Sequence, residues 1–210
     1  MKDEKHKMIR NMIFDWSGTL SDDIMAVYRS VMGVFRRFGL ESISLERFRQ
    51  EFRLPYKDWY HKYIPDANMA QLQRMFEEEL AAFPRPKLYP GVKDILEYLE
   101  NKNINIVMLS AHVRGEIEAE LRDSGFQDSF LQINAPVFDK RKAIREVLES
   151  NSFRPEETAY VGDMLHDIET AKLGGVRSVA ITWGYHPKEL LQTADPDIII
   201  DDISELKDLV

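Results

Sequence analysis

The chain has 210 residues, 44% of them hydrophobic and 30% charged, enough apolar material for one domain with a sizeable core or a core with a small insertion. A net charge of -8 and a pI near 5.2 argue against nucleic acid as a partner, because a polyanion is repelled. Without any cysteine, disulfide frameworks, thiolate zinc sites and cysteine nucleophiles are excluded. Met1 to Lys7 is charged, with no apolar run behind it long enough for a signal peptide. No stretch approaches the ~20 apolar residues of a membrane span, so a cytoplasmic protein without a membrane partner is expected.

Taken in order, Met8 to Phe14 is an apolar run ending at Asp15, the pattern of a first buried strand followed by a turn. From Ser21 to Phe83 the spacing is mainly helical. Ile24, Val27, Tyr28, Val31, Val34, Phe35 and Phe38 share one face before Gly39, and Leu72, Met75, Phe76 and Leu80 form a second stripe. Pro84-Arg85-Pro86 ends that block. Strands are then predicted at Ile104 to Leu109, Thr158 to Val161, Arg177 to Thr182 and Asp197 to Ile200. Helices are predicted at Val92 to Leu99, Arg114 to Ser124, Lys140 to Ser150 and Met164 to Leu173. Apolar strands alternating with amphipathic helices imply an α/β fold: a Rossmann-like three-layer core with a parallel sheet covered on both faces. Residues 1–20 and 87–210 would form this core. The helical block at residues 21–86, which interrupts the alternation, would form a small all-helical cap.

Ligands of such sheets bind beyond the carboxyl ends of the strands, and the unusual polar residues fall there. Asp15 ends a strand ahead of Gly18-Thr19, a turn able to offer backbone N–H groups to an anion. Asp163 and Asp167 follow another strand and lie four apart on one helix face. Three carboxylates at one sheet edge repel one another unless a hard cation sits between them, and oxygen donors select magnesium over zinc or copper. With a hydroxyl at Ser110 and an ammonium at Lys140, the set contains what phosphoryl transfer to an aspartate requires. Each residue alone is as readily a turn former, a helix cap or a solvated lysine; the information lies in the set and its order.

These segments resemble the haloacid dehalogenase superfamily, and within it the phosphoglycolate-phosphatase-like group with a helical cap after the first strand. Phe14-Asp15-Trp16-Ser17-Gly18-Thr19-Leu20 is similar to the first motif, Asp-x-Asp-Gly-Thr-Leu. Val107-Met108-Leu109-Ser110 is similar to the second, Lys140 ahead of Ala143-Ile144 to the third, and Gly162-Asp163 through Asp167 to the fourth. The resemblance implies a magnesium-dependent hydrolase of small phosphorylated metabolites, working through an aspartyl-phosphate. Asp15 would attack phosphorus and ligate Mg2+. The backbone carbonyl of Ser17, Asp163 and Asp167 would complete the protein ligands, with Asp167 acting directly or through water. Ser110 and Lys140 would hold phosphate oxygens, and Lys140 would also shield Asp15 from the metal-side carboxylates. Backbone N–H groups around Ser17, Gly18, Thr19 and Ala111 would hold the equatorial oxygens. Arg53 sits where the family's cap presents its specificity loop, and could pair with an anionic substrate tail.

Position 17 departs from the pattern. The family's phosphatases carry there a second aspartate that protonates the leaving alkoxide and then activates water. General acid–base help is worth ~10²–10⁴ in rate, and a serine hydroxyl is a poor proton carrier near neutral pH. Four readings are compatible with Ser17: a slow phosphatase; a substrate whose leaving group needs little protonation, such as an acyl phosphate; a substitute acid among His112, Asp22, Asp23 and His61; or a different reaction. The last would be carbon–phosphorus or carbon–halogen cleavage, the former with Lys57 or Lys62 available for an imine. Loss of turnover, leaving a phosphate-binding protein, is a further alternative. Trp16 reads as a bulky neighbour closing the site, Trp183 and Tyr185 as a loop near its rim, and His166 as a surface residue or one behind the ligands.

Overall fold

The structure, a computed structural model, describes residues 8–210; the charged segment Met1 to Lys7 read above lies outside the described residues. Six parallel strands form one sheet in the order β3-β2-β1-β4-β5-β6. They are β1 (Asn11–Phe14), β2 (Asn105–Leu109), β3 (Gln132–Asn134), β4 (Thr158–Gly162), β5 (Arg177–Ile181) and β6 (Ile198–Ile200). β1 is central, with Phe14 opposite Met108 of β2 on one side and Val161 of β4 on the other. The chain therefore winds outward from β1 in both directions, and the crevice at the reversal opens at the carboxyl ends of β1 and β4.

Side chains along each strand alternate between faces, and both faces are buried. Met12 and Phe14 join a cluster with Val92, Ile95, Leu96 and Leu99 of α5 (Val92–Asn101) and with Ile117 and Leu121 of α6 (Arg114–Ser124). Ile13, Val107, Leu109 and Tyr160 point the other way. They pack on Ile144, Val147 and Leu148 of α7 (Lys140–Ser150) and Ala171 of α8 (Leu165–Gly174). α9 (Lys188–Gln192) closes the far edge through Leu191 against Ile168 and Ala180. The result is the three-layer parallel α/β architecture that the alternation predicts.

Between β1 and α5 the chain makes α1 (Ile24–Arg37), α2 (Leu45–Glu51), α3 (Tyr56–Tyr63) and α4 (Met69–Leu80). These helices bury a cluster of their own around Val31, Phe35, Phe48, Trp59 and Leu72, each large side chain contributing about 1.5–3 kcal/mol when removed from water. Ser44 and Asn68 cap α2 and α4 by accepting from the N–H groups of Arg47 and Gln71. The two connecting segments pair with each other: Asp22 N donates to Lys87 O at 2.8 Å and Tyr89 N to Leu20 O at 2.9 Å. From the core, Met164 and Tyr185 enter the helical cluster, and Arg49 donates to the carbonyls of Gly184 (2.7 Å) and Tyr185 (3.0 Å). Among the described residues no helix is long and apolar enough to cross a membrane.

Candidate active site at the carboxyl edge of the sheet

Asp15 leaves the end of β1, Ser110 the end of β2 and Asp163 the end of β4; Asp167 sits one turn into α8 and Lys140 opens α7. The fold thus brings together the five residues that the sequence singles out. Asp15, Asp163 and Asp167 are all buried, and one oxygen from each lies within 4.8 Å of the others. Lys140, 0% exposed, bridges two of them, with Nζ 2.6 Å from Asp15 Oδ2 and 2.7 Å from Asp167 Oδ1. Neutral donors fix the remaining oxygens. Trp16 N donates to Asp15 Oδ1 (2.7 Å), Met164 N to Asp167 Oδ2 (3.0 Å), and Thr19 Oγ1 and Tyr185 N to Asp163 Oδ1 (2.9 Å) and Oδ2 (2.5 Å).

Three buried carboxylates face one ammonium, and their proton affinities register the imbalance. Burial pushes Asp15 up to about 6, more than Lys140 pulls it down. Burial, reinforced by Asp167 and Asp15, pushes Asp163 well above the carboxylate range. Burial alone would lower Lys140, yet Asp15 and Asp167 raise it to about 12 and keep it charged. A divalent cation fits this set on two grounds: every donor is a hard oxygen, as Mg2+ prefers, and the group is short of positive charge.

Small residues let the carboxylates approach. A Cβ on Gly184 would lie 2.2 Å from Asp163 Cβ. At Gly18, φ is +72° and a Cβ would meet the Tyr185 ring at 2.3 Å, so both the conformation and the space demand glycine.

Other predicted residues have different placements. Gly18 N donates inside its own turn to Ser21 O and Asp23 Oδ1, and Thr19 N to Trp16 O. These N–H groups shape the loop and, in this conformation, are committed to it. Ser110 is buried, donating from N to Asn134 O and accepting at Oγ from His112 N (3.3 Å), so it fixes the 110–112 loop. Ala111 lies in that loop, between β2 and α6. Arg53 donates to Phe52 O (2.7 Å) and lies 3.1 Å from His186 Nε2, at the contact between the inserted helices and the core. His166 is buried, and its Nε2 accepts from Lys140 N at 3.0 Å, which places it behind the ligands rather than on the surface. Trp183 donates to Thr19 O, and Tyr185 is fully enclosed rather than at a rim, its hydroxyl donating to Asp23 Oδ1.

Sequence reasoning missed Glu120 and His186. His186 Nδ1 accepts from Leu165 N, which puts the proton on Nε2 to donate to Phe52 O. Glu120 had one legible sign: it shares the buried face of α6 with Ile117 and Leu121, and a carboxylate on an apolar stripe requires a reason.

A doubly covered parallel sheet, interrupted by helices after its central strand and carrying buried aspartates at its carboxyl edge, defines an α/β enzyme with an oxygen-donor site. The chain belongs to the haloacid dehalogenase-like hydrolase family, whose pattern matches residues 12–181. It is 29% identical over 204 residues to a phosphoglycolate phosphatase of Synechococcus elongatus, covering 93% of this chain and 94% of that one. It is 26% identical over 217 residues to the pyrophosphatase PpaX of Oceanobacillus iheyensis, covering 96% and 97%. Among solved structures, CbbY from Rhodobacter sphaeroides in complex with phosphate superimposes with a TM-score of 0.77 at 21% identity, covering 95% of this chain and 96% of that one.

Proposed function

We propose that this chain is a magnesium-dependent phosphatase of small phosphorylated metabolites, acting through an aspartyl-phosphate on Asp15, with residues 21–86 as the cap that closes over the substrate. The observation that carries the reading is the Asp15–Lys140–Asp167 bridge beside Asp163. It leaves a carboxylate ionised in a buried site with room, electrostatically, for one more cation. Mg2+, held by Asp15, Asp163, Asp167 and the Ser17 carbonyl, would supply charge neutralisation for the phosphoryl oxygens. Asp15 attacks phosphorus, and the bond to the leaving oxygen breaks. Lys140 keeps Asp15 deprotonated and correctly aimed, while Ser110 and the loop through Ala111 and His112 face the phosphoryl group. The cap excludes water during the first step. The phosphoglycolate phosphatase and pyrophosphatase named above support a small, anionic phosphate compound as substrate.

The carbon–phosphorus alternative needs an uncharged cap lysine. Lys62, one of its two candidates, is engaged by Glu51 at 2.6 Å.

The test is an acid quench of the protein mixed with Mg2+ and a panel that includes phosphoglycolate, pyrophosphate and acetyl phosphate, followed by mass mapping. Phosphate on Asp15, absent with EDTA, is the expected result. Turnover without any acyl phosphate at Asp15, or turnover indifferent to EDTA, would overturn the proposal.

A further inference from the structure

The proton-handling group missing at position 17 has a structural replacement beside it. Ser17 Oγ lies 3.2 Å from His112 Nδ1, and on the far side of that imidazole Nε2 lies 3.9 Å from Glu120 Oε1. Glu120 is 4% exposed. Its Oε2 accepts from Trp16 Nε1 (3.1 Å) and from the Ser21 hydroxyl (2.6 Å), leaving Oε1 for the histidine. Burial raises the proton affinity of Glu120 and lowers that of His112, each partly opposed by the other, so the placement of the two side chains, not a fixed charge on the imidazole, defines the pair. With one ring proton on Nε2, toward Glu120, Nδ1 can exchange the other with Ser17 Oγ, accepting from the hydroxyl when the ring is neutral and donating to it when the ring is an imidazolium. The order hydroxyl, imidazole, carboxylate is the arrangement by which a histidine polarises a serine and is steadied as a cation. His112 also shares its loop with Ser110, so the pair stands at the phosphate side of the site. Asp23 is the competing group. Its carboxyl is hydrogen-bonded by the Ser17 side chain and accepts from Gly18 N and Tyr185 OH, so Asp23→Asn is needed to separate the two groups.

Resting on the phosphatase reading, we infer that Ser17, His112 and Glu120 form a proton relay that takes the place of the missing aspartate. In the first step Asp15 forms its bond to phosphorus and the phosphorus–oxygen bond to the leaving group breaks. The leaving alkoxide takes the Ser17 hydroxyl proton as the His112 imidazolium returns one to Ser17 Oγ. In the second step water adds to phosphorus and the phosphorus–Asp15 bond breaks. The water proton passes to Ser17 Oγ as the serine proton passes to Nδ1, which restores the imidazolium, the Asp15 carboxylate and free phosphate. Ser17 is the group that touches the reacting atoms. His112 acts through it, and Glu120 is a positioning residue that orients the ring and stabilises its cation.

The experiment compares the native protein, His112→Gln, Glu120→Gln, Asp23→Asn, Ser17→Asp and the double variant Ser17→Asp/His112→Gln on two substrates with Mg2+. One is an alkyl phosphate, whose leaving group needs a proton; the other is acetyl phosphate, whose leaving group does not. On the alkyl ester His112→Gln is expected to lose about 10²–10⁴-fold in kcat, with Glu120→Gln intermediate. On acetyl phosphate, His112→Gln still phosphorylates Asp15 rapidly but releases phosphate slowly, so the phosphoenzyme accumulates; a misfolded variant would do neither. In the Ser17→Asp background, where the introduced carboxyl supplies the proton, His112→Gln costs less than about tenfold. Equal losses in the rate of Asp15 phosphorylation from both substrates, equal losses in the native and Ser17→Asp backgrounds, or loss confined to Asp23→Asn would each overturn the relay. If the native protein never carries phosphate on Asp15, the parent reading fails and takes the relay with it. If it does, and His112→Gln behaves as native, only the relay fails.

Discussion

Two charge clusters in this molecule use the same chemistry to opposite ends. In the inserted helices, Glu51 accepts from Lys62 Nζ (2.6 Å), the Tyr63 hydroxyl and Arg47 Nε (2.8 Å). These partners, Lys62 first, hold its carboxyl down at about 2. At the sheet edge, Lys140 bridges two of three buried carboxylates, and burial drives Asp15 up to about 6. The first cluster is complete in itself and half open to solvent; the second is closed and short of positive charge. A structural network supplies its own counter-charges, whereas a site that works on a cation and an anion leaves a deficit for its ligand to fill.

The sharpest way to break that contrast is to remove the buried cation between the carboxylates. Lys140→Met leaves two buried carboxylates without a counter-charge, and a loss of about 3–5 kcal/mol in urea unfolding is expected. A loss no larger than that of an exposed lysine would mean that the cluster is not electrostatically strained. Next in size is Gly184→Ala, whose methyl group must displace Asp163. We expect about 1–3 kcal/mol of overpacking and weaker Mg2+ binding by calorimetry. The smallest effect belongs to Glu51. Its folded-state proton affinity lies below the ordinary carboxylate value of 4.5, so its contribution is present above about 4.5 and is lost as pH falls from there toward 2. Glu51→Gln should flatten that part of the stability–pH curve and cost only about 0.2–1 kcal/mol at neutral pH, because both cationic partners are more than half exposed. An effect at neutral pH rivalling that of Lys140→Met would erase the distinction between the two clusters.

The sequence made one half of the site legible and hid the other. Asp15, Ser110, Lys140 and Asp163 stand at strand ends or helix starts, where alternation of apolar strands and amphipathic helices places them on one edge without further information. Glu120 is in the middle of α6 and reaches Trp16, Ser21 and His112 only through packing of that helix on β1, a long-range contact that no local spacing encodes. Strand β3 is also invisible in the sequence: Gln132-Ile133-Asn134 has one apolar residue and becomes a strand because Val107 to Leu109 offer it a parallel partner. In the inserted helices the stripes of α1 and α4 are readable. α2 and α3 are not, since each is short and Phe48 and Phe52 find their partner Trp59 across helices, by ring contacts.

Whether a divalent ion fills the deficit at the sheet edge is read directly by Mg2+ titration calorimetry on the native protein and on Asp163→Asn. The native chain should take up one Mg2+ per molecule with accompanying thermal stabilisation. Asp163→Asn should bind at least tenfold more weakly while unfolding, without metal, no more easily than the native chain, since one buried repulsive carboxylate is gone. Native and variant proteins binding Mg2+ alike, or a native protein that binds none, would contradict a divalent-ion site there.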